Sequence, residues 1–262
     1  MLAVSNLHQT FNAGTSAETK ALRGVELLLA PGEFAAVIGS NGAGKSTLLN
    51  SIAGVCAPDA GAKIELAGQD VTGWPEHRRA RLIGRVFQNP LDGTAGALSL
   101  EQNLALALAR GRGRGLRLAL NRRRRAELRE LVAGLGLGLE DRLGERMGGF
   151  SGGQRQAAAL LMATLAEPKL LLLDEHTAAL DPAAAQQIEE LTAALAARGP
   201  LTTLMVTHNM HQALALGTRT IMLHQGRIAL DVSGAERAAL TVPELVARFR
   251  ALRVADDSLL LA

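Results

Sequence analysis

The stretch "GSNGAGKST", residues Gly39–Thr47, comes directly after the apolar run Phe34–Ile38. It fits the pattern G-x-x-x-x-G-K-[ST] through Gly39, Gly44, Lys45 and Ser46. Glycines allow backbone N–H groups to turn inward around phosphate oxygens. A helix beginning near Lys45 would point its positive dipole end at the same anion. Lys45 can then reach the outer phosphates of a phosphate chain, and the Ser46 hydroxyl can bind Mg²⁺. The flanks supply the context this chemistry needs. "GEFAAVIG" before the loop is predicted to be a buried strand, and "KSTLLNSIAG" after it a helix that stops at Gly54.

The same grammar continues along the chain. The first 90 residues or so are strand-rich with one strong helix, and "AKIELAGQDV" reads as a strand followed by a turn. From Leu91 to Gly149 there is no strand signal. "LSLEQNLALALAR" and "NRRRRAELRELVAGLGL" are helical, and "GRGRG" breaks the pattern between them. After Ser151 the elements alternate: helix 152–166, strand 169–173, helix 182–197, strand 201–206, helix 209–215, strand 219–223. Alternation at this length implies a parallel sheet with helices on its faces. "LTVPELVARFRALR" in the tail is expected to form one helix.

Composition sets bounds on what the 262 residues can be. A hydrophobic content of 48% suffices for a large core. The single cysteine, Cys56, excludes an internal disulfide and is expected to be a small buried hydrophobe in a reducing setting. The start "MLAVSNLHQTFN" carries no secretory pattern, and no stretch reaches the ~18 apolar residues of a spanning helix, so any membrane span is expected from another chain. Between Arg110 and Arg129 nine arginines meet one acid, Glu127, a local +8, so the rest of the +3 chain carries −5. A solvated helix face is the plain reading of that cluster; lipid headgroups or a partner are the alternatives. It has no interleaved aromatics on which bases could stack, so nucleic acid is not expected.

Two further segments carry chemistry. In "KLLLLDEHTAALD" four leucines form a buried strand, with Asp174 and Glu175 at its C-terminal end, where open α/β sheets bind ligands. Asp174 can hold Mg²⁺ through water, and Glu175 can polarise a water that attacks a phosphate. In "FSGGQRQ", Ser151, Gly152, Gly153 and Gln154 stand at the start of a helix 23 residues before Asp174. Alone that is an N-cap; beside a phosphate loop it suits an anion.

This combination resembles the ATP-binding cassette (ABC) ATPase family over nearly the whole chain. "FSGGQ" resembles the family signature, with Phe150 where leucine is commoner. "VFQNP" places Gln88 at the glutamine loop, "AALD" places Asp181 at the D-loop, and "MVTHNM" places His208 at the switch histidine, 34 residues after Asp174. His176 stands where the family usually has proline. The resemblance implies an α/β fold: a P-loop NTPase core with a mostly parallel sheet, N-terminal antiparallel β strands and an inserted α-helical subdomain. It implies one cassette over 1–262, with the core at 1–90 and 151–230, the helical subdomain at about 91–150 and a helical tail at 231–262.

The resemblance also implies roles. ATP and Mg²⁺ would be held by Gly39, Ser40, Asn41, Gly42, Ala43, Gly44, Lys45, Ser46 and Thr47, with Ser46, Gln88 and Asp174 around the metal. Glu175 would be the general base, and His208 would contact the γ-phosphate. Tyrosine is absent, so Phe11 is the candidate for stacking on adenine, with an ordinary core phenylalanine as the other reading. Ser151, Gly152, Gly153, Gln154 and Asp181 would serve ATP held by a second copy of the chain.

The expected function is the ATP-hydrolysing subunit of a membrane permease, a bacterial solute importer. The motifs "DEHTAALDP" and "TLMVTHNM" resemble a group in which some members are associated with aromatic amino-acid uptake. Permease subunits, an external substrate-binding protein and a peripheral position on the cytoplasmic side of the membrane go with that reading. A soluble ABC ATPase, such as an iron–sulfur cluster assembly factor, is the alternative. Relatives in DNA repair interrupt the cassette with long coiled coils or zinc modules, and the interval from Gln88 to Ser151 and the lone cysteine leave no room for either.

Overall fold

Apolar runs and their punctuation become the strands and helices of the computed structural model, which describes residues 1–111, 120–197 and 199–260, the last eight of these by backbone alone. In chain order the strands and helices are β1 (Leu2–Phe11), β2 (Thr19–Leu29), β3 (Phe34–Ile38), α1 (Lys45–Ala53), β4 (Lys63–Leu66), β5 (Gln69–Asp70), α2 (Glu76–Arg79) and β6 (Ile83–Val86). Then follow α3 (Leu100–Leu108), α4 (Arg122–Ala133), α5 (Gly152–Thr164), β7 (Leu170–Asp174) and α6 (Pro182–Ala197). The chain ends with β8 (Thr202–Val206), α7 (Met210–Leu216), β9 (Arg219–His224), β10 (Arg227–Ser233), α8 (Gly234–Ala239) and α9 (Val242–Leu260). The described residues separate into two compact units: Met1–Gly73 with Thr202–Ala262, and Trp74–Leu201. The architecture is mixed α/β, with one antiparallel sheet and a second set of mostly parallel strands.

In the first unit β2, β1, β4 and β5 pair antiparallel in that order. β1 hides its own alternation. Leu2, Val4, Leu7 and Gln9 are buried, so the inward phase slips between Val4 and Leu7. Asn6 sits there at φ 49°, and the register against β2 shifts at the same place. A bulge of this kind re-aims every side chain beyond it. The same unit holds β8 and β9 parallel to β3 on either side, with β10 antiparallel to β9. All five residues of β3 and of β8 are buried, as strands covered on both faces must be. Arg219 ties these strands together. It donates to Asp231 at 2.6 Å through two nitrogens, to Glu33 at 3.1 Å and to the Leu28 carbonyl at 2.6 Å. The hydrogen-bonded Asp231 raises its already high pKa further.

β10 extends the sheet edge, and "LTVPELVARFRALR" falls in one helix, α9, as expected, with the short α8 before it. Thr241 and Glu244 close a reciprocal cap at the start of α9. α1 stops at Gly54, as its sequence implied, with that glycine in the left-handed conformation. Cys56 is only half-buried, with its Sγ 3.4 Å from Ser51 Oγ, so it is not the core hydrophobe expected of it. It follows the helix end, where the chain turns outward.

In the second unit β6 and β7 run parallel, in register from Ile83↔Leu170 to Val86↔Leu173. α5 packs on β6 and α6. Leu104 of α3, Leu128 and Val132 of α4, and Ala157 and Leu161 of α5 share one core with Phe150. α3 begins at a full capping box of Ser99 and Gln102. The arginine cluster lies partly on α4, where Arg123 and Arg124 pair with Glu127, Arg125 with Glu101 and Arg129 with Asp141. Arg112, Arg114, Arg117 and most of "GRGRG" lie outside the described residues.

Gly84 of β6 lies where the strand meets the end of α5. A Cβ there would fall inside contact distance of the Ala163 carbonyl oxygen and 3.1 Å from Pro168 Cγ. Gly84→Ala must therefore push strand and helix apart, at about 2 kcal/mol and a melting temperature several degrees lower. An unchanged thermal melt would show that this contact is slack.

Candidate functional site

The phosphate loop of the first unit closes on its own lysine. Lys45 is 6% exposed. Its Nζ donates to the carbonyls of Gly39 and Ser40, each at 2.9 Å. The loop leaves β3 at Ile38 and re-enters regular structure at α1, so Ser40, Asn41, Gly42 and Ala43 form the bend. Gly44 has φ 102°, and a Cβ there would meet the Ala21 carbonyl of β2 at 2.5 Å. Only glycine fits both conditions. Ala43 is anchored below, its carbonyl accepting from Gly226 N at 3.0 Å. Ser46 is exposed and Thr47 half-buried at the first turn of α1.

The register of β3 with β8 decides where His208 lies. Val37 pairs with Val206, and Thr207 N donates to Val37 O at 3.1 Å. His208 therefore leaves the sheet at the same edge as the loop. Its neighbours hold it there: Thr207 Oγ1 donates to Gln212 at 2.6 Å, and Asn209 accepts from His211 N and Gln212 N to cap α7. Phe11, the last residue of β1, is 40% exposed, so it is not a core phenylalanine.

The second unit gathers the other candidates at the C-terminal ends of two parallel strands. Gln88 follows β6 by two residues and is exposed. Asp174 ends β7 and Glu175 follows it, both half-buried. Glu175 takes φ 42°, a left-handed conformation uncommon outside glycine. Arg85, whose guanidinium stacks over the Phe87 ring at 4.6 Å, reaches Asp174 Oδ2 at 3.4 Å. Sequence reading missed Arg85, although a charged residue in the otherwise apolar "IGRVF" marks it. Ser151 and Gln154 form a capping box at the start of α5, Oγ accepting from Gln154 N at 3.2 Å and Oε1 from Ser151 N at 3.1 Å. Asp181 caps the next helix, its Oδ1 accepting from Ala184 N at 3.0 Å. The two helix starts touch, since a Cβ on Gly153 would lie 2.9 Å from Ala184 Cβ and one on Gly152 3.5 Å from Leu180 Cδ2. Ser151, Gly152, Gly153, Gln154 and Asp181 thus form one surface, with Ser151 and Asp181 exposed.

His176 is 1% exposed, and burial lowers its pKa from 6.5 to about 4, so the ring is neutral near pH 7. Its Nε2 lies 3.0 Å from Thr192 Oγ1 on α6.

A glycine loop around a buried lysine, a carboxylate pair at a strand end and a capped glycine pair at a helix start are each chemically suited to phosphate. A family model described as ABC transporter matches residues 22–178. This chain belongs to the ABC transporter family. The tyrosine transport ATP-binding protein of Clostridioides difficile (strain R20291) is 41% identical over 249 residues, covering 95% of this chain and 98% of that one. The methionine import ATP-binding protein MetN of Brucella abortus (strain 2308) is 39% identical over 215 residues, 81% of this chain and 55% of that one. An ATP-binding cassette solved as a dimer in a post-hydrolysis state, bound to ADP and Pi, superposes with a TM-score of 0.76 at 27% identity, covering 89% of this chain and 98% of that one. The protein is accordingly an ATP-binding cassette and an ATPase. No helix among the described residues is long and apolar enough to cross a membrane.

Replacing Lys45 by Ala removes the cation from the loop. A charge-assisted contact to phosphate is among the stronger hydrogen bonds, so ATP affinity should fall by about tenfold or more. Calorimetric titration with ATP checks this, and an unchanged affinity would detach Lys45 from the nucleotide.

Proposed function

We propose that the chain is the ATP-hydrolysing subunit of a bacterial solute importer of amino-acid type, with an aromatic amino acid as the first substrate to test. The observation that carries this is the 41% identity to a tyrosine transport ATP-binding protein along 95% of the chain. The methionine import relative supports the amino-acid class. The partners in this reading are a membrane permease, a second copy of the chain and an external substrate-binding protein. The cassette then works at the cytoplasmic face of the membrane, held there by the permease. The domain organisation we propose is one cassette, with its core at 1–90 and 151–230, a helical subdomain at about 91–150 and a tail at 231–262.

The roles follow from the chemistry of each side chain. Backbone N–H groups from Gly39 to Thr47, with Lys45, bind the phosphates of ATP. Phe11, exposed at a strand end, supplies an apolar face for adenine. Ser46, Gln88 and Asp174 offer a hydroxyl, an amide carbonyl and a carboxylate, the hard oxygen donors that suit Mg²⁺. Bound there, Mg²⁺ would neutralise charge on the outer phosphates. Glu175 accepts the proton of the attacking water, and His208 contacts the γ-phosphate. The exposed Ser151 and Asp181 serve the nucleotide bound to the other copy, and their exposure in a single chain supports that assignment.

Glu175→Gln keeps the shape of the base and removes its basicity. The variant should bind ATP, remain locked as a dimer and hydrolyse roughly 10²–10⁴-fold more slowly. In cells lacking the wild-type chain it should also fail to restore uptake of labelled tyrosine. Near-normal turnover would remove Glu175 from the role of base. Full turnover by the wild type with no effect on amino-acid uptake would instead overturn the importer reading.

A further inference from the structure

Gln156 joins two backbone segments through one buried amide. It lies on the second turn of α5 and is fully buried. Its Nε2 donates to the Phe87 carbonyl at 3.1 Å and to the His176 carbonyl at 2.6 Å. Both neighbours are carbonyl oxygens, which only accept, so the amide must stand with its nitrogen toward them. Both N–H bonds are then used, and Oε1 is left without a hydrogen-bond partner among the described residues. A buried amide oxygen in that state costs stability. An apolar side chain of equal volume would avoid that cost but take this donor from the Phe87 and His176 carbonyls, so what the glutamine supplies is the pair of hydrogen bonds rather than volume.

The two carbonyls belong to consequential places. Phe87 precedes Gln88, and His176 follows Glu175. The strands that deliver them, β6 and β7, are neighbours in register. Glu175 is held at φ 42°, a conformation that persists only where its surroundings impose it. Inside the turn, Ala178 N donates to Glu175 O at 2.9 Å. Beyond it, the His176 ring is pinned to α6. Thr192 Oγ1 gives its one proton to the Ile188 carbonyl at 2.7 Å. That assigns the donor role in the 3.0 Å contact to His176 Nε2. The residue after the base is thus fastened by its carbonyl to α5 and by its ring to α6.

We propose that Gln156 is a positioning residue for hydrolysis, holding the Glu175 turn and the strand end that carries Gln88 at a fixed separation through its two amide N–H groups. The inference rests on the reading of Glu175 as the general base. It is chemically economical: the amide touches neither substrate nor metal, and acts by denying the carboxylate the small displacements that slow a reaction steeply. A displacement of about 1 Å can cost about a hundredfold in rate.

The test is a double-mutant cycle on the full chain. Gln156→Met keeps the volume and removes both donors. The expected result is a kcat lower by roughly tenfold to a hundredfold, with the dissociation constant for ATP changed by no more than about twofold. Placed in Glu175→Gln, the same substitution should cost no further rate, because the group it positions is already gone. An unchanged kcat in Gln156→Met, or an equal fold-loss in both backgrounds, overturns the proposal, the second by showing a general structural weakening. Should Gln156→Met not fold, Gln156→Asn, which keeps an amide but draws it back by one methylene from the two carbonyls, should lower kcat in the same cycle; an unchanged kcat there overturns the proposal. The Glu175→Gln arm separates the two readings. Wild-type turnover there removes the base itself, and Gln156 with it. Loss there without coupling removes Gln156 alone.

Discussion

A buried ammonium must be surrounded by oxygen, and Lys45 finds its oxygen in its own loop. At 6% exposure the cation would be costly without partners, and the Gly39 and Ser40 carbonyls meet it at 2.9 Å. That requirement curls the chain between β3 and α1 into a ring, with the carbonyls turned toward the lysine. Much else in the first unit serves the ring. Gly44 lets β2 pass close, Gly226 holds Ala43, and the buried β3 fixes where the loop begins. In the role proposed for Lys45 a polyphosphate meets the same ammonium, and its arrival would exchange backbone oxygens for phosphate oxygens.

Each unit repeats one design: parallel strands in register deliver polar residues to their C-terminal edge. β3 and β8 bring the loop and His208 to one edge; β6 and β7 bring Gln88 to Asp174 and Glu175. The helix starts then hold the remaining candidates. Ser151 and Gln154 satisfy each other, and Asp181 satisfies Ala184 N, so both helix ends are complete within one chain. Their polar atoms are nevertheless at the surface. An exposed, already capped glycine pair at a helix N-terminus suits the proposed role of meeting an anion brought by another molecule.

The parts written in adjacent residues were legible in the sequence. The phosphate loop, the Asp174–Glu175 strand end and the α5 cap are local patterns, and each stands where its residues placed it. Long-range pairing was less legible. β1 conceals its period because Asn6 shifts the phase, and β10 is recognisable only through its pairing with β9. Cys56 was misread because burial depends on where the chain goes after α1, which no neighbouring residue records. His176 stood out as a departure, but its partner Thr192 lies 16 residues away, across a helix. Gln156 gave no signal, because its meaning comes from two carbonyls, one of them 69 residues distant. The phosphate chemistry is written locally; what aligns it is not.

The central claim is that ATP is shared between two copies, with Lys45 from one and Ser151 from the other. Mixed dimers test it most directly. In the first, one chain carries both Lys45→Ala and Ser151→Arg and its partner is wild type; in the second, one chain carries Lys45→Ala and the other Ser151→Arg. If sites are composite, the first dimer has both sites damaged, while the second concentrates both lesions in one site and leaves the other whole. The account predicts that the second dimer occludes one nucleotide and the first occludes none. Occlusion of one nucleotide by the first dimer and none by the second would contradict it, because each chain would then be serving its own ATP.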